Sequence, residues 1–325
     1  MAPRLSLLQY IPRQAVDYSA WEIAMRLTAS SRHLFLSLLT ITLPWAALDQ
    51  AAARSIADIL KTREVRVCIA LTTAASGKAE PPGCRADCVM SGDAPDLAAA
   101  FAASFGPQIK TKWLNIGWEE QFQNKDGKVL REEAYTPELL ASEACDFYAA
   151  GFLKNEWRAK KMDFVTLNLS RFVVLVNDAS KPAIKSAADL RGRRAATYKE
   201  TAYEAWLTAQ NQTVYKDAPV EIEYVADDDA IIKAVDARAV DFGLMVTDAA
   251  LPLLRQYSRV TGVFGVGPVA EMGWAFRKED QDLQAAAQRF IRMQRKDPGS
   301  LMNKQFQSAY GKTVSEYDSF VQGLK

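Results

Sequence analysis

A chain of 325 residues with 49% hydrophobic and 24% charged side chains can bury a large core and is long enough for two lobes. Its 40 basic and 39 acidic residues leave a formal charge of +1, which argues against the electrostatic footprint of a nucleic-acid binder. The single histidine, His33, lies in the N-terminal segment, so a chain processed beyond it has no Ser-His-Asp or Cys-His chemistry and lacks the commonest metal ligand.

That segment reads as a secretory signal over residues 1–53. Arg26, Arg32 and His33 precede the apolar run LFLSLLTITLPWAAL, and Ala51-Ala52-Ala53 offers small residues for cleavage before Arg54. The run is short for a membrane span, and Met25 is a possible true start. Residues 55–61 then form a helical lead-in, and VRVCIAL (65–71) is β-branched and apolar, a first strand. A Gly- and Pro-rich loop leads to a helix opened by Pro95 and closed by Gly106. Residues 110–116 make a second strand, 123–133 a polar exposed insertion, 136–142 a short helix and 146–150 a third strand.

From Ser170 the pattern restarts. RFVVLVN is a strand; Ser186 and Asp189 are spaced as a capping box; residues 201–210 are helical. EIEYV is a strand, DDDAIIKAVDARAV a helix and DFGLMV a buried strand; 249–257 are helical, 272–277 return as a strand, and amphipathic helices such as 281–295 and 313–322 finish the chain. Strands alternating with helices predict an α/β fold with mainly parallel sheets. The four cysteines of an exported chain suggest disulfides, with three pairings open. The favoured one joins Cys84 to Cys88 within a loop and Cys68 to Cys145 between two strands. The rival for Cys84 and Cys88, half a metal site, lacks a second pair of that spacing.

The segment CDFYAAGFLKNEWRAKKMDF (145–164) resembles the D-x-x-x-A-G-x-x-x-x-x-x-R-x-x-x-x-D-F stretch of periplasmic solute-binding proteins of the amino-acid type. GDAPDLAAAFAASFG, GWEEQF, IKSAADLRGRRAAT, VDFGLMVTD and WAFRKED resemble further segments of that family in the family's order. The resemblance implies a two-lobe type II periplasmic-binding-protein-like fold. Lobe 1 is residues 54–170 plus 272–325, lobe 2 is residues 171–271, and hinge crossings lie near 168–172 and 270–274. A small polar solute would sit in the cleft between the lobes, and closure would bury it.

Arg158 would grip a solute carboxylate through its planar fork of donors, or else pair on a helix surface with Asp163 or Glu156. The turn Gly151-Phe152-Leu153 would approach the ligand. Thr201 would hold an anionic group at a helix start, or simply cap that helix. Trp118 would stack on the ligand or pack in the core, and Asp248 would meet a ligand ammonium or cap a helix. The chain departs from the family at Leu153, where a hydroxyl is usual, at Glu200 and Ala202, where G-T-T is usual, and at CRADC in the first loop. Asp248 stands two residues beyond its expected register. These departures point away from an ordinary α-amino acid.

The implied role is delivery of a carboxylate-bearing solute to the permease of an ABC importer by a periplasmic monomer without cofactor, metal or catalytic residues. Two alternatives keep the fold. One is a sensor or an accessory protein of a periplasmic dehydrogenase. The other is a cyclohexadienyl-dehydratase-like enzyme with Glu200 as its acid or base.

Overall fold

The computed structural model describes residues 54–72 and 76–324. The predicted signal segment, with Met25 and His33, lies outside the described residues. Among the described residues ten strands follow in chain order: β1 Glu64–Ile69, β2 Lys78–Glu80, β3 Val89–Ser91, β4 Lys110–Asn115, β5 Phe147–Leu153, β6 Asp163–Asn177, β7 Arg194–Thr197, β8 Glu221–Tyr224, β9 Phe242–Val246 and β10 Val260–Phe276. Eight of them form one sheet ordered β4-β1-β5-β10-β6-β9-β7-β8, while β2 and β3 make a small hairpin apart. The outer pairs β1/β4, β1/β5, β7/β8 and β7/β9 are parallel; the pairs that involve β6 and β10 are antiparallel.

The buried strands are apolar runs because helices cover them. Helix Asp93–Ala103 lays Leu97, Ala98, Phe101 and Ala102 against Val65, Val67, Phe147 and Trp274. Helix Asp228–Asp236 packs Ile231, Ile232 and Val235 on the sheet around Phe242 and Leu244. The sequence marks the helix starts: Ser55, Thr201, Asp227, Ser300 and Thr313 each accept a backbone N–H as N-caps, and Ser186 with Asp189 forms the predicted capping box. One core cluster gathers Leu153, residues 172–266 and Met272, and two others gather residues 59–167 and 274–314.

The two joining strands are longer than predicted. β6 begins at Asp163, seven residues before the predicted restart, and β10 begins at Val260 rather than at 272. They pair with one another along nearly their whole lengths. Residues 168–170 lie opposite 270–272 in that ladder, where the sequence places the hinge crossings. β10 was masked by Gly262, Gly265, Gly267 and Pro268, which break strand patterns in a sequence but are tolerated where the ladder shifts register, as between Val266 and Ala270. At Gly273 the strands approach so closely that a Cβ would stand 2.4 Å from the Val165 carbonyl oxygen. Both predicted disulfides are present, Cys68–Cys145 with Cα atoms 5.6 Å apart and Cys84–Cys88 at 5.9 Å. The metal reading of Cys84 and Cys88 is thereby removed.

Candidate functional site

A cavity of about 220 Å³ opens where the C-terminal ends of β1, β5 and β9 meet the β6/β10 crossing. Its walls come from both sides of that crossing: Thr72, Trp118, Gly151, Leu153 and Arg158 on one, Tyr198, Tyr203, Asp228 and Asp248 on the other. The strand ends place these residues for a simple reason. In a parallel α/β sheet the loops after the carboxyl ends converge on one crevice.

Arg158 is the centre of one wall. It lies in the short helix Glu156–Ala159, capped by Asn155, and is 1% exposed. One Nη donates to the Leu153 carbonyl at 2.9 Å, the other to the Glu200 carbonyl at 2.8 Å, and Nε has no hydrogen-bond partner among the described residues. The guanidinium is packed among four rings, those of Phe122, Trp157, Trp118 and Phe152, with centroids 4.9, 5.2, 5.5 and 5.8 Å away. Burial lowers its pKa to about 10, so it remains a cation at neutral pH. The Trp118 indole N–H is also buried without a partner among the described residues. Both donors are buried without a partner among the described residues, and buried donors left unpaired are costly.

The facing wall carries acceptors. Tyr203 donates to Asp228 at 2.7 Å, Tyr198 donates to its other oxygen at 3.4 Å, and Thr72 hydrogen-bonds the same carboxylate across the cleft. Burial pushes the Asp228 carboxyl up to about 7, partly relieved by these hydroxyls and reinforced by Asp248. Asp248, half-buried, accepts from Ser170, and burial raises its pKa also. Asp93, at the third side, is raised by burial and by Asp96.

The sign of the Asp228 effect on stability follows from its two states. An unfolded aspartate titrates near roughly 3.9. Between that value and about 7 the folded chain keeps a proton that the unfolded chain has lost, so stability drains away as pH rises through this window. Urea unfolding should show the native chain losing stability relative to Asp228→Asn between pH 4 and pH 7. A constant gap between the two would contradict the raised carboxyl.

A strap ties the walls together. The predicted insertion is anchored by Lys161, which is 1% exposed and donates to the carbonyls of Leu130, Arg131 and Glu133 while lying 4.2 Å from the Tyr135 ring centre. Arg131 then reaches across to Glu200 at 2.8 Å and to Glu204. Glu200 holds a left-handed backbone (φ +61°) and is fixed on both sides, its carbonyl by Arg158 and its carboxylate by Arg131. A non-glycine residue in that region is strained by about 1 kcal/mol or more, and these contacts hold it there.

Of the residues singled out in the sequence, Arg158, Gly151, Leu153, Trp118 and Asp248 line the cavity. Asp248 reaches it despite its shifted register, because β9 runs to Val246 and the next helix starts at Thr247. Phe152 points the other way, into the aromatic core beside Trp118, Phe122 and Tyr148. Thr201 is not in the cavity wall; its hydroxyl caps helix Ala202–Gln212 by accepting from Glu204 and donates to the Tyr198 carbonyl. Glu200 is likewise absent from the wall, its carboxylate held by Arg131. Tyr198, Tyr203 and Asp228 were missed. Asp228 hides in a run of three aspartates that a helix start explains by itself.

No family model matches the chain. It is 32% identical over 146 residues to the L-cystine-binding protein TcyJ of Escherichia coli (strain K12), a match that covers 43% of this chain and 51% of that protein. The chain spans about half the length of the curated relatives it matches. Among solved structures, the Streptococcus pneumoniae substrate-binding protein of an ABC uptake transporter, with histidine bound, superposes at a TM-score of 0.64 with 17% identity. That match covers 79% of this chain and 96% of the other. The ancestral amino acid-binding protein AncCDT-1, a precursor of cyclohexadienyl dehydratase, gives 0.62 at 18% identity, covering 78% and 99%. A mutant of ArgBP from T. maritima gives 0.61 at 16% identity, covering 79% and 99%. The chain has the fold of solute-binding protein family 3, the two-lobe periplasmic binding proteins of the amino-acid type.

Proposed function

We propose that this protein captures a small, carboxylate-bearing solute of the amino-acid type in the cavity between its lobes and delivers it to the permease of an ABC importer. The lobes are residues 54–170 plus 272–325 and residues 171–271, turning about the β6/β10 crossing. The observation that carries the reading is Arg158, a buried guanidinium that lines the cavity, with Nε unpaired among the described residues. A carboxylate drawn to this guanidinium gains from surroundings where charge-assisted hydrogen bonds are strong. Asp248 supplies a partner for an ammonium, so an amino-acid solute fits even though Leu153 and Ala202 replace the usual hydroxyls.

The relatives support the solute class: TcyJ is named for L-cystine, and the similar structures for arginine or histidine. The same reading makes the protein a periplasmic binder that acts as a monomer without catalysing a reaction, and the Arg131 grip on Glu200 speaks against that carboxylate as a free acid or base. Isothermal titration of the purified chain against amino acids and organic acids tests it. Saturable binding with 1:1 stoichiometry to at least one carboxylate-bearing solute is expected. Silence across the panel would remove the reading.

A further inference from the structure

Charge in the cavity does not balance. Three carboxylates line it, Asp93, Asp228 and Asp248, against the single guanidinium of Arg158. Among the described residues none of the three joins an ion pair. The charges that act on Asp93 and Asp228 are themselves negative: Asp96 beside Asp93, and Asp248 beside Asp228. Asp93 is exposed to solvent, but Asp228 is buried and Asp248 half-buried; enclosed carboxylates without a cation are expensive, and desolvation holds both above the ordinary range.

A bound metal is a poor answer, because no three acidic or cysteine side chains among the described residues converge as a metal site would require. The compensating charges must arrive at separate points, as they do on an organic cation. A zwitterion brings one ammonium for its one carboxylate; with the carboxylate on Arg158 this leaves the cavity as acidic as before. The Arg158 guanidinium in the wall independently calls for a ligand that also carries an anionic group. Aromatic faces complete the picture, since Trp118, Tyr198, Tyr203 and Tyr310 all border the space and attract cations. Its volume of about 220 Å³ is below the roughly 300–1,000 Å³ of drug-sized pockets, which suits one amino-acid-sized molecule.

We propose that the cavity selects an amino-acid solute with a second positive charge on its side chain, Asp228 and Asp248 each facing one of its two cationic groups. This rests on the solute-binding reading and narrows it. The wall built by Asp228, Tyr198, Tyr203 and Thr72 is then a specificity subsite for a cation.

The test needs no mutation at first. Titration calorimetry at pH 7.5 compares L-arginine and L-lysine with L-citrulline, the neutral isostere of arginine, and with L-glutamate. At least one of the two cations should bind at least 50-fold more tightly than citrulline, and glutamate should not bind measurably. Asp228→Asn, checked for native circular dichroism, should then lose at least tenfold in affinity for the preferred cation while citrulline changes less than threefold. Binding of citrulline or glutamate as tight as that of both cations overturns the proposal while leaving solute capture intact. So does an Asp228→Asn variant with an unchanged cation-to-citrulline ratio. Silence of the whole amino-acid panel, cations included, overturns both.

Discussion

Arg158→Ala is expected to lower the free energy of unfolding by about 3 kcal/mol and to abolish solute binding. The stability loss has two sources. Removing the guanidinium strips the Leu153 and Glu200 carbonyls of their donors, about 1 kcal/mol each where the acceptor stays buried. It also empties the space among four aromatic rings, which adds the cost of lost packing for a long buried side chain. The binding loss has a separate origin, since Arg158 supplies the only guanidinium that borders the cavity among the described residues. Arg158→Lys separates the two effects. An ammonium keeps the charge but cannot reach both carbonyls and the solute carboxylate at once, as the planar guanidinium with its five donors can. Urea unfolding should place the lysine variant within about 1.5 kcal/mol of the native chain, and calorimetry should find its affinity at least tenfold weaker. A lysine variant that binds as well as the native protein would show that the solute carboxylate is held elsewhere.

Loss of the Cys68–Cys145 bridge should cost about 4 kcal/mol, the chain-entropy expectation for a closed loop of this size. The loop spans 77 residues, takes in β1 to the start of β5, and so covers most of the first lobe's N-terminal half. Both sulfurs are fully buried beside Tyr148 and Phe122, hence the double variant Cys68→Ala/Cys145→Ala is preferable to serine, which would leave hydroxyls unsatisfied. The Cys84–Cys88 bridge closes only a short loop, and its removal should cost about 2 kcal/mol or less. Denaturant midpoints of the two double variants compare them directly. Equal losses, or a negligible loss for Cys68→Ala/Cys145→Ala, would refute the ranking. Either bridge needs an oxidising compartment, in keeping with an exported protein.

Much of the fold was legible because local signals and the global arrangement agree. Apolar β-branched runs such as VRVCIAL and RFVVLVN lie in central strands, and the capping residues Thr201, Asp227 and Thr313 start the helices that cover them. What could not be read was long-range. β10 is a strand over residues 260–271 only because β6 lies alongside it; its glycines and proline suggest a loop in isolation. The site divides in the same way. Arg158 and Gly151 stand out by spacing within one segment, whereas Asp228 becomes informative only when Tyr198, Tyr203 and Thr72 are folded around it. In the sequence Lys161 is one of two adjacent lysines, Lys160 and Lys161. It is buried because three carbonyls of the insertion close over it, a contact that no composition reveals.

The strap bears on how fast the protein can exchange its cargo. Arg131, Glu200 and Glu204 are partly open to water, with side chains 28%, 19% and 11% exposed, so mobile ions can weaken their attraction as the Debye length shrinks from roughly 30 Å at 0.01 M salt to 3 Å at 1 M. Solute dissociation followed by stopped flow should therefore quicken several-fold between low and high salt, and Arg131→Ala should already be fast at low salt and nearly indifferent to added ions. Dissociation of the native protein that ignores salt would mean that opening does not wait on this clasp. If the dependence is found, residence time is set by a loop outside the cavity, and a change at Arg131 could alter how long a solute stays without altering which solute is chosen.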